Sequence, residues 1–143
     1  MTGAVLVPAG PRLRLAGLAR LPIAAGRYLA ADRLDPVFFS DYRMFEPLGI
    51  ASAIYLITDS NRRIRWLGQA NRNGDLVARL AEHARSREKT EVFTTLRVLH
   101  LIDRTPAEAI DSIEGRCADL LGLRGAMGPR RWPSSDAWQT LVP

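Results

Sequence analysis

Cysteine is almost absent from this chain of 143 residues. The single thiol, Cys117, permits no intramolecular disulfide and cannot alone build a thiolate metal cluster, so redox chemistry is not expected. Long apolar runs are also lacking. The uncharged start, Met1 to Pro11, is followed by Arg12, Arg14 and Arg20, which breaks up the apolar core of a secretory signal. A second uncharged run, Pro47 to Thr58, falls well short of the roughly 20 residues a membrane-spanning helix needs. The expectation is a cytoplasmic protein without a membrane partner. There is no internal repeat and no low-complexity tract, and the length leaves room for one core rather than two.

Lysine is scarce as well: of 20 basic residues only Lys89 is not arginine, against 15 acids. Heavy use of Arg, Ala and Leu can reflect a GC-rich genome, so the net charge of +5 is by itself compatible with a merely solvated surface. Its position is more telling. Between Asn61 and Arg104 stand ten basic residues and five acids, a surplus equal to that of the whole chain. A basic middle is what a phosphate-binding face requires. The apolar fraction of 47% and charged fraction of 24% are those of a globular domain.

The first 46 residues read as an extension of short elements. Pro8, Pro11, Pro22 and Pro36 are spaced so that no long helix runs unbroken, and Val37-Phe38-Phe39 offers an edge strand or a plug against the core. Ala51 to Thr58 is a short apolar run ended by Asp59-Ser60-Asn61, which predicts a buried strand. Arg63 to Leu67 alternates charged and apolar residues up to Gly68, as a half-buried hairpin arm does.

After the polar loop Asn71 to Gly74, the segment Asp75 to Lys89 places Leu76, Val77, Leu80 and Ala84 on one helical arc, with Asp75 at its start. Val92 to Ile102, dense in β-branched and aromatic residues, predicts a third strand. Thr105-Pro106-Ala107-Glu108 combines a capping hydroxyl, a proline at the first helical position and a glutamate three residues after the cap; the helix they open ends at Gly122. In the tail, Trp132 and Trp138 read as apolar anchors. The expected architecture is an α/β (α+β) domain: a small three-stranded sheet with flanking helices over 47–122, an N-terminal extension over 1–46, and a packed tail over 123–143.

On the last helix Ile110, Ile113, Cys117, Leu120 and Leu121 form a buried stripe, and Glu114, one turn from Ile110, falls inside its edge. A carboxylate there is rarely buried unless paired, most commonly with an arginine, or bound to a metal. Arg79 and His83 are four apart on one flank of the middle helix, and Tyr55 sits mid-strand. Read in order, Ala53-Ile54-Tyr55, then Trp66-Leu67-Gly68, then Arg79-Leu80 with His83, then Glu114, the pattern over residues 50–122 resembles the GIY-YIG endonuclease family. Ala53 stands where the family has its first glycine, Trp66 stands at the second tyrosine, Ala70 stands where a small hydroxyl residue is frequent, and no asparagine follows Asn73.

The resemblance implies a hydrolase that cuts DNA. Tyr55 would be the general base, provided nearby positive charge lowers its pKa. Glu114 would hold one divalent ion, Mg²⁺ or Mn²⁺. Arg79 would clamp the phosphate, and His83 would hydrogen-bond the scissile group or assist proton transfer. Further substrate contacts are expected from Arg65, Trp66, Gly68 and Arg72, with Gly68 admitting the substrate backbone and Trp66 either stacking on a base or filling the core. Two alternatives stay open: a catalytically inactive module that binds nucleic acid or a protein, motivated by Trp66 and the missing asparagine, and a structural domain in which Glu114 pairs with Arg79.

Overall fold

A computed structural model describes residues 7–71 and 74–143. Its centre is a four-stranded antiparallel sheet in the order β1-β4-β2-β3, formed by β1 (Leu29–Phe38), β2 (Ser52–Thr58), β3 (Ile64–Ala70) and β4 (Thr95–Leu101). The α+β class is as expected, but the sheet has one strand more than the three the sequence suggested. The fourth is β1, which lies in the stretch read as an extension and pairs with β4 along the outer edge. Pro36 is tolerated there because it falls in a register shift between Arg33 and Val37, where a missing N–H breaks no ladder bond.

Both faces of the sheet are covered, which explains why every residue of β2 is buried rather than every second one. On one face Ile54, Leu56, Leu67 and Leu99 pack against α1 (Leu15–Ala25), α4 (Ala107–Leu120) and the tail. On the other, Tyr55, Ile57 and Val98 meet 3-10 turns over Phe39–Leu48 and α2 (Leu76–Ala84), whose Leu76 and Leu80 are fully buried. The helix with the acid and the helix with Arg79 and His83 therefore lie on opposite faces.

The expected helix over Asp75 to Lys89 is two helices. Asp75 caps α2 as anticipated, accepting a hydrogen bond from the Ala78 N–H at 2.8 Å. Ser86 then acts as a second cap, and the chain restarts as α3 (Arg87–Val92), so β4 begins later than Val92. The start of α4 also differs by one residue. Pro106 occupies the cap position, while the Thr105 hydroxyl turns back to donate to the Ile102 carbonyl at 2.6 Å. In the tail, Trp132 donates its indole N–H to the Leu67 carbonyl at 3.0 Å and Trp138 donates to the Ala24 carbonyl at 2.7 Å, so both serve as anchors. No helix of the described residues is long and apolar enough to cross a membrane.

Strand β3 is an edge strand, and its outer side is covered in two halves. Residues 10–13 run beside its start, with Gly10 N–H bonded to the Ile64 carbonyl and Leu13 N–H to that of Arg62, both at 2.8 Å. Further along, Arg130 and Trp132 of the tail both donate to the Leu67 carbonyl. Such covering removes a row of unpaired backbone groups that would otherwise invite another strand.

Candidate active site at the edge of the sheet

Tyr55 on β2 lies directly opposite Gly68 on β3. A Cβ on Gly68 would stand 2.6 Å from the Tyr55 hydroxyl and 3.0 Å from the Trp66 indole nitrogen. The phenol occupies the space that glycine leaves. Gly68 therefore seats the tyrosine, in place of the close substrate approach expected of it.

The Tyr55 oxygen is 2.8 Å from Nε2 of His83, and Nδ1 of His83 is 2.9 Å from the Lys89 ammonium. Trp66 and Phe93 hold the imidazole edge-on, with ring centroids 4.6 and 5.8 Å away. Burial, then the charges of Lys89, Arg130 and Arg79, push the His83 pKa down to about 3, so the ring is neutral near pH 7. Burial likewise holds the Tyr55 phenol above its ordinary value. Arg79, a hydrogen bond from Trp66 and Arg130 pull it down and Glu114 pushes it up, but burial outweighs the lowering causes. The expectation of a tyrosine acidified by its neighbours fails in the free protein.

Glu114 is 6% exposed on α4. Gln69 reaches it from β3: its amide nitrogen donates to Glu114 Oε1 at 2.8 Å and to Asp111 Oδ1 at 2.9 Å, and its carbonyl accepts from Asn71 Nδ2 at 3.0 Å. Burial, reinforced by the nearby Asp111 carboxylate and opposed by the Gln69 hydrogen bond and Arg130, raises the Glu114 pKa to about 7. Glu114 makes no ion pair with Arg79, which instead faces Glu82 on its own helix at 3.6 Å.

Arg130 joins the two halves. Its guanidinium donates to the Leu67 carbonyl at 2.8 Å, lies 3.9 Å from the Trp66 ring centroid, and acts electrostatically on both Tyr55 and Glu114. With Arg79 it leaves a buried Nε–H without an acceptor. Trp66 is thus engaged on the protein side by His83, Phe93, Arg130 and Lys89. Arg65 is committed to structure: it pairs with Asp59 at 2.8 Å and donates to the Val7 carbonyl. Arg72 lies outside the described residues.

Sequence reasoning missed Lys89, Arg130, Gln69 and Asp111. Asp111 could have been found, being three residues before Glu114 and hence its neighbour on the helix surface. Gln69 is adjacent to Gly68, but only the pairing of strands shows that it points at α4. Arg130 carried no signal, because it lies in an irregular tail whose return to the β3 edge no periodicity encodes.

A metal site needs oxygen donors short of partners. Glu114 and Asp111 share one amide hydrogen-bond donor group, and burial, with the Asp111 carboxylate beside it, raises the Glu114 pKa. The donor set fits a hard divalent ion that keeps most of its waters. No cluster of three His, Cys, Asp or Glu side chains occurs among the described residues, so the protein would contribute one or two ligands. No family model matches the chain, and neither a curated protein nor a solved structure does.

Proposed function

We propose that the protein is a metal-dependent endonuclease that hydrolyses DNA phosphodiester bonds in the manner of the GIY-YIG enzymes. The observation that supports this reading is the link across the β3 edge: the Tyr55 oxygen bonded to a neutral histidine on one face, the buried Glu114 carboxylate on the other, and the Arg130 guanidinium acting on both. Arg79 and Arg130 would hold the phosphoryl oxygens, where negative charge grows during in-line attack. Tyr55 would take the proton of the attacking water. Glu114, with Asp111 beside it, would hold the divalent ion, whose positive charge stabilises the leaving oxygen and favours the ionised form of Tyr55.

Plasmid and single-stranded DNA incubated with Mg²⁺ or Mn²⁺ test the reading. Cleavage by the wild type that is abolished by Tyr55→Phe and by Glu114→Ala supports it; no cleavage by the wild type, or equal cleavage by all three, refutes it. The raised pKa of Tyr55 together with Trp66 at the second tyrosine position favours a second reading, an inactive module that binds nucleic acid through the same arginines. Salt-dependent DNA binding without turnover, indifferent to a chelator, would select it.

A further inference from the structure

Lys89 is the one lysine in a chain whose other basic residues are all arginine. Ser86 interrupts the helix and caps α3, in which Lys89 reaches back to His83 on α2. Its ammonium is 2.9 Å from His83 Nδ1 and 4.3 Å from the Trp66 ring centroid, while the opposite ring nitrogen is 2.8 Å from the Tyr55 oxygen. The three side chains come from α3, α2 and β2 and form an unbroken line.

We infer that Lys89 is a positioning residue: it fixes His83 in the tautomer that carries its hydrogen on Nε2, so that His83 donates to Tyr55 and never accepts from it. An ammonium has three donors and no acceptor, so the nitrogen that faces it must accept and carries no hydrogen. A neutral imidazole then has its hydrogen on Nε2, where the Tyr55 oxygen is the acceptor within reach. The imidazolium form would set an N–H against an ammonium. The charged or titratable groups around the ring are Lys89 from α3, Arg79 from α2, Tyr55 from β2 and Arg130 from the tail, and the three cations all oppose its protonation.

The consequence for the proposed reaction, on which this assignment of roles rests, concerns where protons go. Tyr55 loses its hydrogen to solvent, and the phenolate keeps the hydrogen bond from His83. It then takes the proton of the attacking water and becomes a phenol again, while the His83 N–H stays in place throughout. Histidine serves as a fixed donor to the base, in place of the proton shuttle the resemblance allowed.

Long-range proton–nitrogen correlation spectra of the two histidines test this without any substrate, with His100 as the internal control. Between pH 5 and 8 the wild type should show His83 protonated at Nε2 alone. Lys89→Met, which keeps the stem over Trp66 but removes the charge, should mix the tautomers, and Lys89→Arg should restore the first pattern. A wild-type His83 protonated at Nδ1, or a Lys89→Met spectrum identical to the wild type, would overturn the inference. Cleavage assays separate this from the wider reading. If DNA is cut, Lys89→Met should lower kcat about ten- to a hundredfold with a smaller change in KM, the scale seen when a partner that orients a functional histidine is removed. Unchanged kcat sinks the role of Lys89 and leaves the nuclease standing; the expected tautomers without cleavage sink the nuclease and leave the hydrogen-bonded line.

Discussion

His83 and Glu114 are both buried and both shifted, but in opposite directions, and this gives stability a characteristic dependence on pH. The folded chain holds His83 at about 3 against an ordinary 6.5, so between those values the unfolded chain binds the extra proton. The stability His83 contributes is present above pH 6.5 and is lost as pH falls towards 3. Glu114 is raised from 4.5 to about 7, so its contribution is full below pH 4.5 and is lost as pH rises to 7. Each slope is at most about 1.4 kcal/mol per pH unit. The two offset between pH 4.5 and 6.5, and His83 acts alone below. Urea midpoints from pH 3.5 to 8 should lose part of their acid-side fall in His83→Gln, and Glu114→Gln should gain stability relative to wild type above pH 7. Variants whose profiles run parallel to the wild type would contradict the burial-driven shifts.

Gly68 offers a sharper test at the same scale. Because a methyl group there would meet the Tyr55 phenol at 2.6 Å, Gly68→Ala should destabilise the free protein by about 1–3 kcal/mol, the cost of overpacking a filled site. If Gly68 instead admitted substrate, stability would be unchanged and only DNA binding would suffer. Thermal unfolding in the absence of DNA distinguishes the two.

Among the elements, the tail does more than close the core. Gly115 in α4 has no side chain where the Pro133 carbonyl crosses, and Arg124 ties the crossing by donating to the Pro133 carbonyl at 2.6 Å and to that of Gly115 at 3.1 Å. This crossing delivers Arg130 and Trp132 to the β3 edge. Gly115→Val should therefore lift the tail, shift Trp132 fluorescence to the red and weaken DNA binding through the loss of Arg130, whereas the secondary structure of the sheet should persist. Normal fluorescence and normal DNA affinity in this variant would show that the crossing does not hold Arg130 in place. The break between α2 and α3 was hidden from periodicity for a related reason: the apolar arc continues through Ala84, and only the capping hydroxyl of Ser86 marks the restart.

For the molecule as a whole, the sequence made legible what local chemistry dictates. The hairpin, the two principal helices and the tryptophan anchors follow from apolar period, turn residues and a capping carboxylate at Asp75. Only the end of β1, at Val37-Phe38, was legible as an edge strand; the rest was obscured because Pro36 and three charges, Asp32, Arg33 and Asp35, suit an exposed edge and resemble a loop. Of the candidate site, Tyr55, Arg79, His83 and Glu114 stood out by residue type and order, and the structure joins Tyr55 to His83 directly. It places Glu114 on the other face of the sheet, reached around the edge through Gln69 and Arg130. That detour depends on strand register and on the path of an irregular tail, neither of which a helical or strand period records.

On the proposed reading Tyr55 and Glu114, on opposite faces of the sheet, act on one phosphodiester at the β3 edge. A double-mutant cycle on single-turnover DNA cleavage in Mn²⁺ tests it most directly, with wild type, Tyr55→Phe, Glu114→Gln and the double variant compared at one pH. Groups that serve a single transition state are strongly non-additive, so the double variant should be no slower than the slower of the two single variants. Rate losses that simply multiply, or a wild type that leaves DNA intact, would contradict the account.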